Sequence, residues 1–221
     1  MNQPERNQSI LHKYIPEKAV PVISEWIYKF DFKLKIKKSR SSKYGDYRPP
    51  FKGENHQITI NYDMNKYAFL ITLIHEIAHL SNYNKHKNKV KPHGEEWKIH
   101  YKLLMQQFLV PDIFPLDVIT ALRKYMNNPA ASSCSDINLL RVLKKYDNRQ
   151  DTVLLEDVAV GATFRYNESR SFIKGEQSRK RIKCKELGSN ATYLFNPLTE
   201  VLVINTPLLA ENKAAFTINN Q

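Results

Sequence analysis

The chain has 221 residues, 42% of them hydrophobic and 25% charged, enough for one sizeable core and too apolar for disorder along its whole length. No apolar run approaches the roughly 20 residues that span a bilayer, and the polar residues 1–16 lack the apolar stretch of a secretory signal, so a cytoplasmic protein with no membrane partner is expected. Thirty-four Lys and Arg against 22 Asp and Glu give a net charge of +12, which favours a polyanionic partner.

Residues 16–29 read as helical, with Val20, Ile23, Trp26 and Ile27 on one face and Pro21 marking where the continuous helix begins. Residues 32–38 alternate Phe32, Leu34 and Ile36 with Lys33, Lys35 and Lys37, the pattern of a half-buried strand with lysines outward. A polar turn over 39–43 leads to a short strand at 44–48, stopped by Pro49 and Pro50. A further strand at 57–61 turns Ile58 and Ile60 the same way. A strong helix over 65–81 carries Phe69, Leu70, Leu73, Ile74, Ile77 and Leu80, and a basic loop over 82–92 follows. The next helix, 95–109, places Trp97, Tyr101, Leu104, Met105 and Phe108 at helical spacing. Residues 116–126 form another helix after Pro111 and Pro115, and 137–146 a short one after a small-residue linker at 127–135.

Near Asp151 the character changes. Short strands at 164–166, 171–174, 181–185, 192–195 and 201–204 are separated by turn signals at Gly161, Gly175, Gly188 and Asn196-Pro197. The expected fold class is α+β: a mixed helical and sheet domain over 1–128, a linker with a short helix over 129–150, a small β-rich unit over 151–204 and a tail over 205–221. Cys134 and Cys184 stand far apart with no CxxC, which excludes a disulfide framework and a Cys-rich zinc ribbon; each reads as a small buried or half-buried residue.

The cations are clustered. One cluster is Lys33, Lys35, Lys37, Lys38, Arg40, Lys43 and Arg48, with Tyr44, Tyr47 and Phe51 interleaved; others are Lys85 to Lys91 and Lys174 to Lys185. Aromatics beside cations suit single-stranded nucleic acid, where bases stack and phosphates pair. A solvated strand face is the plainer reading of the first cluster, and the two are compatible.

The segment His75-Glu76-Ile77-Ala78-His79 is an HExxH motif on an expected buried helix. Residues four apart share a helix face, so His75 and His79 can offer imidazole nitrogens to one metal ion, with Glu76 beside them as a base for a water. Two core histidines flanking a buried Glu would each need partners, which makes a purely structural reading costly. A catalytic zinc usually takes three protein ligands. Asn82 and Lys85 stand where the HExxHxxGxxH pattern needs Gly and His, so that class is excluded. The candidates for a third ligand are His86, His93, His100, Glu95 and Glu96. His93 opens the next helix and precedes Gly94, His86 lies among lysines, and His100 lies on the helix near Trp97.

HExxH followed by a basic loop and then His93-Gly94-Glu95-Glu96-Trp97, with Gly45-Asp46-Tyr47-Arg48 and the strand 56–61 upstream, resembles the SprT-like (Spartan) zinc metalloprotease family over about residues 16–108. The resemblance implies a zincin-like metalloprotease domain holding Zn2+ on His75, His79 and His93, with Glu76 as general base. It further implies that Trp97 packs rather than reacts and that Gly45 to Tyr47 lie near a substrate cleft. Members of the family cleave proteins crosslinked to DNA, so the expected partners are a protein substrate and DNA. The chain departs from members that carry a C-terminal Cys-rich zinc ribbon, since Cys184 is the only cysteine in its β-rich region. Tyr44, Tyr47 and Arg48 are candidates for stabilising an oxyanion. The competing readings are a nucleic-acid-binding protein with a structural or vestigial zinc site, and a zinc hydrolase acting on a small molecule or cell-wall peptide.

Overall fold

Residues 66–86 begin with a good cap and continue through an almost unbroken apolar run. The Asn65 side chain accepts hydrogen bonds from the Tyr67 and Ala68 backbone N–H groups at 3.1 and 2.9 Å, starting helix α3 (Lys66–His86). Every residue from Ala68 to Ala78 is buried, so α3 is enclosed on all sides, as a helix apolar all round must be. The computed structural model describes residues 3–38, 40, 43–131, 136–147, 151–167 and 169–205. Cys134, the middle of the expected linker and the tail beyond 205 lie outside the described residues.

The chain divides into two compact units, Met1–Asn148 and Arg149–Gln221. In the first, the elements are α1 (Gln3–Tyr14), α2 (Val20–Lys29), β1 (Phe32–Lys37), β2 (Gly45–Arg48), β3 (His56–Asn61), α3, α4 (Glu95–Gln106), α5 (Leu116–Met126) and α6 (Ile137–Lys144). Its sheet has the order β1-β3-β2, with β1 parallel and β2 antiparallel to β3, so β2 is an edge strand. The register aligns Leu34 with Ile58 and Ile36 with Ile60, placing these apolar side chains on one face. Lys33 and Lys35 pair with Gln57 and Thr59 on the opposite face. The alternation in the sequence therefore has the expected outcome. The core joins that face to α3, with Phe69, Trp97, Tyr101, Phe108 and Phe114 fully buried.

Three local expectations change. Helix α1 was not anticipated, because its few apolar positions make a narrow stripe; Leu11 nevertheless reaches the core, as does Ile15 just after the helix. Helix α3 runs to His86, past the expected end at 81, because Asn82 is buried as well; the chain leaves the helix at Lys87 with φ 54. Helix α6, grouped in sequence with the linker, buries Leu139 and Leu143 in the core of the first unit.

The second unit is one antiparallel sheet of β4 (Val153–Leu154), β5 (Thr163–Tyr166), β6 (Arg170–Ser178), β7 (Arg181–Glu186), β8 (Thr192–Phe195) and β9 (Glu200–Asn205), in the order β4-β9-β5-β6-β7-β8. Strand β6 continues through Gly175 where a turn was expected. A side chain there would meet the Lys183 carbonyl at 2.7 Å, and the register shifts between Lys174 and Gln177, so this glycine serves a bulge. Phe164, Phe172, Ile182 and Cys184 form its core. Lys174 is buried beside them with its ammonium bound to the carbonyls of Glu156 and Val158. Among the described residues the fold is thus mixed α+β, and no helix is long and apolar enough to cross a membrane.

Candidate metal centre

His75 and His79 are one turn apart on α3, and their Nε2 atoms lie 3.3 Å from each other. His93 comes from the segment that turns into α4, where the Gly94 N–H bonds the Lys91 carbonyl at 3.0 Å before the helix begins. One ligand nitrogen from each of His75, His79 and His93 falls within 4.8 Å of the others. Trp97, one turn into α4 and fully buried, packs against all three imidazoles, with ring centroids 4.7, 5.3 and 4.9 Å away. Tyr101 stacks on Trp97 at 5.0 Å and extends this aromatic support.

The electrostatics suit a metal. Burial, then the neighbouring His79 and His93, holds His75 well below the ordinary imidazole range. Burial, then His93, holds His79 at about 3, and burial lowers His93. Three neutral imidazoles therefore offer lone pairs at neutral pH, as metal ligands must. His75 Nδ1 and His93 Nε2 are buried with no hydrogen-bond partner among the described residues. The donor set, its spacing and its orphaned nitrogens fit a bound metal ion better than a set of satisfied core histidines.

Glu76 is 7% exposed and outside the cluster of ligand atoms. Burial, then the charge of Asp46, pushes its carboxyl up to about 8; a backbone hydrogen bond from Tyr47 and the charges of Lys43 and Arg40 oppose that rise. Burial would also raise Asp46, but hydrogen bonds from Lys43 and Arg48 outweigh it and keep that carboxyl below its ordinary value. Glu76, His75, His79 and His93 line a cleft of about 520 Å³ together with Gly45 and Tyr47 of β2.

The other candidate ligands lie elsewhere. His100 bonds Ser81 Oγ through Nδ1 at 2.8 Å, with the His86 ring 6.1 Å away. Glu95 is exposed and paired with Lys98 at 2.7 Å, and Glu96 does not join the cluster. Of the oxyanion candidates, Tyr47 lines the cleft, whereas Tyr44 and Arg48 do not. The Tyr47 hydroxyl is 2.8 Å from His56 Nδ1, and burial, then Tyr83, raises its phenol, which stays protonated. Among the cleft residues that the sequence reading did not assign to the site are Asn82 and Tyr83. Asn82 lies seven positions after His75 and three after His79, a helical spacing that signals a shared face.

No curated protein and no solved structure matches the chain. The model of the SprT-like family matches residues 23–118, a stretch that runs from α2 into the first turn of α5 and contains the sheet, HExxH and His93. The family that the motifs resemble is thus the one whose model matches residues 23–118 of this chain, the SprT-like family.

Proposed function

We propose that this chain is a zinc-dependent metallopeptidase with a zincin-like catalytic domain, acting on proteins associated with or crosslinked to DNA. The observation that carries the reading is the convergence of three neutral imidazoles beside a buried carboxyl that is not among the clustered ligand atoms, at an open cleft. His75, His79 and His93 would hold the zinc. Zinc bound there supplies Lewis acidity, which makes a water more acidic and a carbonyl more electrophilic. Glu76 takes the proton from the attacking water on its carboxylate and gives it to the leaving amine nitrogen. In the metal-free chain burial pushes that carboxyl up to about 8, and the charge of a bound zinc would favour the ionised, proton-accepting form. Trp97 and Tyr101 fix the imidazoles from behind and keep that side dry.

The proposed DNA partner rests on charge and shape in the first unit. A groove of about 1310 Å³ is lined by Lys29, Lys33, Lys35 and Arg48 and by Tyr28 and Phe51, which are 86% and 70% exposed. Asp31 and Glu54 also line it, so the cations exceed the acids by two. Lysines beside exposed rings suit phosphates and unstacked bases.

Elemental analysis and a cleavage assay, run together, test the reading. Wild type should hold one zinc per chain and cleave a DNA-bound protein, and Glu76→Gln should keep the zinc while losing about 10²-fold or more of the cleavage rate. Full activity in Glu76→Gln sinks the mechanism. Zinc without Glu76-dependent hydrolysis favours a nucleic-acid-binding protein with a structural metal.

A further inference from the structure

We infer that Gly45 is a positioning residue for Glu76: its missing side chain leaves the space in which the carboxylate of the base sits. The inference rests on the reading of Glu76 as the base and identifies what aims it. A Cβ built on Gly45 would lie 2.5 Å from Glu76 Oε1, 2.8 Å from Glu76 Cγ and 2.9 Å from Thr72 Cγ2. Contacts that short force something to move, and both groups they involve lie on the buried part of α3. Thr72 and Glu76 are both buried on α3, and Gly45 pairs with Ile60, a fully buried residue of β3. Conformation is not the reason for glycine here. The positive-φ glycines are Gly53 and Gly161, whereas Gly45 sits in a regular strand.

The strand supplies the other half of the clamp. The Asn61 N–H bonds the Tyr44 carbonyl at 2.9 Å, so the 44·61 pair and, by alternation, 46·59 and 48·57 exchange backbone hydrogen bonds. The N–H groups of Gly45 and Tyr47 therefore face the free edge of β2. The Tyr47 N–H is the one placed to favour the charged form of the Glu76 carboxylate. One edge strand thus sets the position of the base twice, by a gap at residue 45 and a donor at residue 47. An added methyl group pushes the carboxylate away from that donor while leaving the three imidazoles in place.

The test combines kinetics with a double-mutant cycle on Gly45→Ala and Glu76→Ala, with zinc measured in each protein. Gly45→Ala is expected to keep its zinc and its KM and to lose kcat by about 10²-fold, the effect of misplacing a catalytic group by about 1 Å. Its melting temperature should fall, and that fall should shrink sharply when Glu76 is already alanine, because the collision partner is gone. Additive stability effects overturn the inference, as does an unchanged kcat in a hydrolase whose Glu76→Gln variant is inactive. Should Gly45→Ala fail to fold, recovery of cooperative melting in the double variant supports the clamp, and no recovery overturns it. The stability cycle is independent of turnover. If Glu76→Gln proves fully active, the base reading has failed, and the cycle still decides whether Gly45 makes room for this carboxylate.

Discussion

Protonation of the three clustered imidazoles sets the behaviour of the site at the scale of single residues. Burial lowers His75, His79 and His93, with His79 at about 3, whereas an unfolded imidazole takes its proton near 6.5. As pH falls below 6.5 the unfolded chain binds protons that the folded, metal-free chain refuses. Stability from these groups is therefore full above 6.5 and is lost as pH drops towards the folded values. His56 and His100, also lowered by burial, act in the same direction. Glu76, raised to about 8, acts in the opposite direction, but one carboxyl stands against several imidazoles. Metal-free protein should melt at progressively lower temperature between about pH 6.5 and about pH 5, and His79→Asn should flatten that slope. A melting temperature independent of pH in this window would mean that the imidazoles are not held neutral by burial.

At the scale of elements, α3 carries HExxH and its start is tied to a distant helix. Asn65 caps α3 with its oxygen and gives its amide hydrogens to the Leu143 carbonyl and Asp147 Oδ1, at 2.9 and 2.7 Å. One side chain thereby joins the helix that bears HExxH to the end of α6. Asn65→Ala removes the cap and leaves acceptors at α6 without their donor. The expected cost is about 1–2 kcal/mol in denaturant unfolding. A change of only a few tenths would mean that the cap is replaced by water. Local pattern alone placed α3, α4 and α5 well, because each has an apolar stripe at helical spacing. It placed α1 and the last turn of α3 poorly, because there a few buried contacts, such as Leu11 and Asn82, decide the structure.

For the whole molecule, two cores make two kinds of lesion. Phe172 is fully buried in the second unit, where its ring stacks on Phe164 at 5.6 Å. Phe172→Ala should destabilise that unit by about 3–5 kcal/mol, and the zinc uptake proposed for His75, His79 and His93 should be unchanged because the three imidazoles lie in the first unit. Loss of zinc in this variant would show that the units do not fold independently. The net charge of +12 belongs to this scale as well. If the groove in the first unit takes nucleic acid, affinity should fall steeply between about 50 and 200 mM salt, as counterions displaced from phosphates regain their advantage. Flat binding over that range would assign the charge to solubility.

The sequence by itself determined what depends on neighbours along the chain. The periodicity of 3.6 or 2 located most elements, and HExxH placed two imidazoles on one helix face. It left five candidates for the third member of the cluster, and the resemblance to a family, not the spacing, pointed to His93. Tertiary structure decided between them by distance. His93 closes on the pair, while Glu95 is turned to solvent and His100 to Ser81. Only packing could show that Trp97 backs all three imidazoles, that Asn82 lines their cleft, and that Gly45 is glycine for want of space. These contacts join residues far apart in the chain, and no local pattern encodes the distance between two strands and a helix that meet only when the core closes.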